Sequence, residues 1–204
     1  MGIAHRISLM KLNRIERLIV NSPLRRMMQS LEIRWFTKKH LITAGGRILE
    51  IGCGRGVGAA YILEKFSPQR LSLLDLDIQM VRKARIYLKN RQKTDFCVAD
   101  AVFLPFENDA FDAVFGFGFL HHVPKWRNSL AEVDRVLKKN GAYFMVEIYP
   151  ALYQNVIAKR LLVHPESDRF YSPDLMDAFK RVNLVLTHAF ELKNLGIIGI
   201  GIKL

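Results

Sequence analysis

The chain has 204 residues, half of them hydrophobic by a wide count and a quarter charged; this composition suits one α/β domain with an attached segment and excludes disorder, collagen and coiled coil. Its longest apolar runs, residues 113–120 and 195–202, have the length of buried strands and fall well short of the ~18 residues needed to cross a bilayer. The net charge is +12, and residues 1–47 hold ten bases against two acids, so that end should attract something anionic: nucleic acid, anionic lipid or an acidic small substrate. A solvated basic face with no partner is the competing reading. Two cysteines, Cys53 and Cys97, exclude a disulfide scaffold and a cysteine-rich metal site and point to a reducing cytoplasm. No metal is expected.

The N-terminal segment has no continuous apolar core of the kind a secretory signal needs, because Arg or Lys interrupts it every few positions. It reads as helix. Ser22 is placed to cap, Pro23 suits the first turn, and Leu24, Met27, Met28, Leu31 and Trp35 fall on one face, with Arg25, Arg26, Gln29 and Glu32 on the other. The first face is expected to point inward, and Gly45-Gly46 to close the helical region. From residue 47 short apolar runs alternate with amphipathic stretches: strands at 47–51, 71–75, 95–98, 112–117 and 142–148, and helices at 57–65, 77–91 and 128–138. In the second helix Ile78, Val81, Ala84 and Leu88 should face inward. Such alternation predicts right-handed βαβ crossovers and a parallel sheet covered on both faces. A helix follows Pro173, then strands at 184–192 and 197–203, joined by Asn194-Leu195-Gly196 as a tight antiparallel connection.

Ligands of such a sheet bind at the carboxyl ends of its strands. The first strand runs into Glu50-Ile51-Gly52-Cys53-Gly54-Arg55-Gly56 and a helix, where glycines let a ligand approach the backbone. Read from Gly54, the same loop also fits a dinucleotide pattern through Ala59, so a nicotinamide or flavin stays open. Asp75, at the end of the second strand, can accept from both hydroxyls of a ribose, with Asp77 better placed to cap the next helix. Asp100 can accept from an adenine amino group while the Ala101 amide donates to the ring.

With these stations in place the chain resembles class I S-adenosylmethionine-dependent methyltransferases, the broad group called methyltransferase type 11, from about residue 47 to 148. The resemblance rests on Glu50, Gly52, Gly54 and Gly56; on Asp75 and Asp100; on Leu104-Pro105-Phe106, Phe111-Asp112, Val114 and His121-His122; and on Glu132, Arg135-Val136-Leu137 and Gly141. Lys138-Lys139-Asn140-Gly141 departs from the family's usual Lys-Pro-Gly-Gly, where no ligand contact is expected. The resemblance implies an α/β, doubly wound, Rossmann-like seven-stranded sheet of order 3-2-1-4-5-7-6, with strand 7 antiparallel. It further implies S-adenosyl-L-methionine as cofactor, held by Glu50, Gly52, Cys53, Gly54, Gly56, Asp75, Leu76, Asp100, Ala101, Gly116 and Phe117. Residues 47–204 would form this domain and residues 1–46 a basic lid over cofactor and acceptor. Carbonyls near Gly52 and at Gly116–Phe117 would receive the methionyl ammonium.

His121, His122 and Glu147 are the candidate catalytic residues, with Tyr149 and His164 as further possible bases. A packed and locally bonded histidine pair is the plainer alternative. Met27, Met28, Trp35 and Phe36 and the turn Phe117-Gly118-Phe119-Leu120 favour a small apolar or lipid-like acceptor, if they are not simply core. That acceptor would be met in the cytoplasm or at an anionic membrane surface. The alternatives are an RNA or protein methyltransferase docking through the basic N-terminal region, a nicotinamide-dependent oxidoreductase, and a nucleoside-binding module without catalysis.

Overall fold

The computed structural model describes residues 22–39, 41, 44–153 and 168–204. In chain order the elements are α1 (Pro23–Thr37), β1 (Arg47–Ile51), α2 (Val57–Phe66), β2 (Arg70–Asp75), α3 (Ile78–Tyr87), β3 (Thr94–Val98) and β4 (Phe111–Phe117), followed by a 3-10 turn at Leu120–His122. The second half holds α4 (Trp126–Val136), β5 (Leu137–Ile148), the short α5 (Pro150–Tyr153), α6 (Ser172–Arg181), β6 (Leu184–Leu192) and β7 (Gly196–Lys203). The strands form one sheet in the order β3-β2-β1-β4-β5-β7-β6. β1 lies between β2 and β4, with Leu49 opposite Ser72 and Val114, and both pairings are parallel. β7 runs antiparallel to β5 and β6. This is the order and polarity that the resemblance implies.

Alternation along each strand sends residues to two separate cores. Leu49, Ile51, Val114 and Tyr143 meet Leu130 and Val133 of α4 and Leu175 and Phe179 of α6 on one face. Ile48, Leu71, Leu73, Ala113, Phe115 and Phe144 meet α1, α2 and α3 on the other. Burial on both sides is why the central strands read as continuous apolar runs.

α1 starts as the sequence predicts: the Ser22 hydroxyl accepts from the Arg25 amide at 3.2 Å, and Pro23 occupies the first turn. Arg26 faces solvent and Trp35 packs partly against the core as expected, but the rest of the helix's facing differs. Ile33 and Phe36 are buried, and Phe36 makes edge-on contact with Phe115 and Phe144. Leu24, Met27, Met28 and Leu31 are each about half exposed or more. Arg25, expected toward solvent, is instead tucked in against Glu32 at 2.7 Å. Polarity misled because that ion pair lets a charged stripe lie beside the packed face. α1 therefore shares the core of residues 47–204.

Smaller differences have local causes. Ile78, expected inward, is 45% exposed, and Met80 is buried in its place, because the Asp77 side chain caps α3 through the Gln79 amide and turns Ile78 outward. α4 begins two residues earlier than predicted, at Trp126, whose indole packs on Phe170. β5 reaches back to Leu137, which pairs with Phe111. Lys138–Gly141 still turns without the proline: Asn140 takes φ 63°, and a Cβ at Gly141 would lie 2.8 Å from the Lys138 carbonyl.

The two sets of family residues after β3 and on α4 prove to be one clamp. Arg135 donates to the carbonyls of Leu104 and Phe106 and to Asn108, while Glu132 accepts from the Leu104 amide and from Arg135. It holds the loop that follows Asp100. Phe36→Ala should destabilise the fold by roughly 3–5 kcal/mol in denaturant unfolding, whereas Leu31→Ala should change stability by less than ~0.5 kcal/mol.

Candidate active site

The first loop is built from backbone. Gly52, Gly54 and Gly56 have φ of 70°, 53° and 88°, a left-handed region costly for any side chain. The space where a Cβ of Gly54 would stand is open, whereas one at Gly52 would lie 2.7 Å from the Phe119 side chain. Beside this loop, at the end of β2, Asp75 accepts from the Gly54 amide at 2.9 Å and from the Asp77 amide at 2.8 Å, one on each oxygen. The Leu76 amide adds to these two, and the carboxylate keeps acceptor capacity beyond them. Burial, its largest influence, outweighs these amides and raises the Asp75 pKa above the usual carboxylate value. Leu76 follows, half-buried, and the Ala99 amide bonds the Asp75 carbonyl. Asp100, past β3, accepts from the Val102 amide at 3.1 Å, and Ala101 is buried beneath it in the α4-side core.

Three of the expected ligand-binding residues turn their side chains elsewhere. Glu50 is 1% exposed and lies against Gly58 and the Ala59 amide at the start of α2. Burial first, and Asp75 second, push its carboxyl up to about 8. Cys53 is buried in the α2-side core, its thiol raised for the same first reason and donating to the Gly54 carbonyl at 3.7 Å. The Phe117 ring is buried on Phe36 and Phe115.

The Phe117 carbonyl, expected to receive an ammonium, instead accepts from Arg25 at 3.4 Å. A guanidinium at the end of β4 suits an anion and repels an ammonium. Arg25 is thus a site residue that the sequence reading missed, and Phe119, read there as favouring an apolar acceptor, packs behind Gly52 instead. The one available signal for Arg25 was Glu32 seven residues on, on the same helical face.

At the end of β5 the structure brings His121 and Glu147 together. The Glu147 carboxylate, 1% exposed, accepts from the amides of Leu120 at 3.0 Å and His121 at 3.2 Å, and lies 2.7 Å from His121 Nδ1. The His122 ring sits 4.3 Å from that of His121, and Tyr153 stacks on the other side at 5.9 Å. Tyr149 is buried, bonded to the Ser172 hydroxyl and pushed up to about 12, chiefly by burial, so it does not serve as a base near neutral pH. His164 lies outside the described residues. Phe117, Phe119 and Leu120 are core, and Gly118 is half-buried, so this turn offers no open apolar pocket. Among the described residues no group of three His, Cys, Asp or Glu could hold a metal ion.

A glycine loop at the end of the central strand, with carboxylates ending the next two strands, is the geometry of a nucleoside site. Residues 49–145 match the methyltransferase domain family model. Over this stretch, just under half of its length, the chain is similar to that family. A phthiotriol/phenolphthiotriol dimycocerosates methyltransferase of Mycobacterium ulcerans is 35% identical over 119 residues, 56% of this chain and 42% of that protein. A fatty-acid O-methyltransferase of Mycolicibacterium smegmatis is 33% identical over 121 residues, 59% and 44% of the two chains. The matches thus span about two fifths of the length of these curated relatives. The likeness in fold reaches beyond that stretch: a SAM dependent methyltransferase of Aquifex aeolicus superposes with a TM-score of 0.71 at 14% identity, covering 95% of this chain and 100% of that one.

Glu50 gives this domain a testable pH dependence. Its folded-state pKa lies above the unfolded value of about 4.5, so the folded state loses stability as pH rises from that value through about 8. Glu50→Gln keeps an acceptor for Ala59 and cannot ionise. In denaturant unfolding from pH 5 to pH 9, the variant should gain on the wild type by at least ~1 kcal/mol; parallel curves would contradict a buried, neutral Glu50.

Proposed function

We propose that the protein transfers a methyl group from S-adenosyl-L-methionine to a lipid-like acceptor, working in the cytoplasm at an anionic membrane surface. The observation that supports the acceptor class is the pair of relatives about one-third identical to this chain, both named for lipid acceptors. The apolar turn invoked from the sequence gives no support, being core.

The residues present fit the cofactor. The open side of Gly54 admits a ligand against the backbone, with Gly52 and Gly56 shaping the same loop. The remaining acceptor capacity of Asp75 suits two ribose hydroxyls, and Asp100 with the Ala101 amide suits an adenine edge. Arg25 suits the methionyl carboxylate and, with α1, covers that edge of the site as a lid, which leaves the ammonium to the carbonyl side of the Gly52 loop. When bound, the cofactor supplies an electrophilic methyl group on a sulfonium. The chain's part is alignment and exclusion of water. A carboxylate acceptor needs no base. A hydroxyl acceptor loses its proton to His121, whose ring is oriented by the Glu147 carboxylate 2.7 Å from Nδ1. His122 supports that ring from the side.

Two measurements test this reading. Asp75→Ala should weaken S-adenosylhomocysteine binding by roughly 1.5–3 kcal/mol in calorimetry while the protein stays folded; unchanged affinity would remove the ribose role. Incubation with methyl-labelled cofactor and a mixed lipid extract should place label in lipid. Label in RNA or protein instead would overturn the acceptor class.

A further inference from the structure

We infer that the outward face of α1 is a membrane-docking surface that inserts apolar side chains into an anionic bilayer. This inference rests on the proposed acceptor class only for its purpose; its evidence is the helix itself.

Leu24, Met27, Met28 and Leu31 are 61%, 56%, 47% and 55% exposed, at i, i+3, i+4 and i+7 spacing, so they make one continuous stripe facing solvent. This arrangement does not follow from an unburied helix, because the opposite face is anchored by Ile33 and Phe36 in the core. The stripe continues into the last turn as Trp35, half-buried, with exposed Arg34 and Lys38 beside it and Lys39 lying 5.0 Å over the indole ring. An aliphatic strip followed by bases and a tryptophan on one helical face matches the boundary between lipid headgroups and acyl chains. No helix among the described residues is long and apolar enough to cross a membrane.

Charge decides between possible occupants. A second copy of the chain seated across a two-fold axis would bring two sets of Arg34, Lys38 and Lys39 toward each other. An RNA backbone would satisfy the bases and leave the aliphatic centre of the face in contact with phosphates and water, where it gains nothing. An anionic lipid surface satisfies both halves. The position of the helix gives docking its use. Arg25, in the first turn of α1, touches the carboxyl end of β4, so inserting Leu24, Met27 and Met28 brings the bilayer to the edge of the candidate active site.

The test uses the full chain and vesicles of phosphatidylcholine with or without phosphatidylglycerol, with neither cofactor nor acceptor present. Wild-type protein should sediment with the phosphatidylglycerol vesicles, less so as salt rises. The surface pairs Met27→Asp/Leu31→Asp and Arg34→Gln/Lys38→Gln should each weaken partitioning by ~10-fold or more, with melting temperature and S-adenosylhomocysteine affinity unchanged. Vesicle binding that neither pair alters would overturn the inference. So would a fall in melting temperature of the aspartate pair with no vesicle binding by wild type, which would show that the chain covers the stripe itself. A dimer dissolved by the aspartate pair, again without vesicle binding, would assign the face to a second copy. Failure of the acceptor reading looks different: label absent from lipid while vesicle binding stands.

Discussion

The amide of Gly54 and the carboxylate of Asp75 meet at 2.9 Å across the ends of β1 and β2, and the arrangement of the candidate site hangs on that bond. Three of the five residues of the loop Gly52–Gly56 are glycines, which leave its backbone free to take other shapes. It is fixed by its flanks: the Cys53 amide bonds the Leu74 carbonyl, Gly54 bonds Asp75, and the Phe119 side chain fills the space behind Gly52. Because Asp75 is held in turn by the Asp77 amide, one carboxylate sets both the loop and the first turn of the following helix. The sheet makes this possible by aligning β1, β2, β3 and β4 in parallel, which gathers their carboxyl ends on one edge.

The buried polar groups of the molecule are concentrated near that edge. Glu50 and Glu147, each 1% exposed, solve burial in opposite ways. Glu147 is met by two amides and an imidazole, the partners that a charged carboxylate needs. Glu50 has one amide, and burial together with nearby Asp75 outweighs the pull of Arg25, so its carboxyl is pushed toward the neutral form. Polar partners are therefore gathered around the His121 pair, while charge is withdrawn beside the glycine loop. The opposite ends of the strands carry ordinary surface pairs such as Lys138 with Asp112.

The sheet was legible because two-sided burial writes itself as runs of apolar residues, and its boundaries at β1 and β6 follow the sequence reading without change. The glycine loop, Asp75 and the capping role of Asp77 were legible because backbone conformation and strand ends restrict which residues can stand there. The facing of α1 was not. Its sequence offers an obvious apolar stripe, but Ile33 and Phe36 are the residues it buries, and the Arg25–Glu32 pair offsets part of the penalty for packing a charged stripe close by, burial still raising the Glu32 pKa. The turn after β4 failed for the opposite reason: Phe117, Phe119 and Leu120 look like a pocket lining and are needed as core. Which amphipathic face turns inward depends on neighbours distant in sequence, and periodicity alone holds no record of them.

The central claim is that this edge of the sheet is a nucleoside site built for S-adenosylmethionine. Calorimetric titration of the full chain with S-adenosylhomocysteine and, separately, with NAD tests it most directly. The geometry of Gly54, Asp75 and Asp100 predicts saturable binding of S-adenosylhomocysteine in the micromolar range and no heat from NAD. Tight NAD binding with no response to S-adenosylhomocysteine would contradict it.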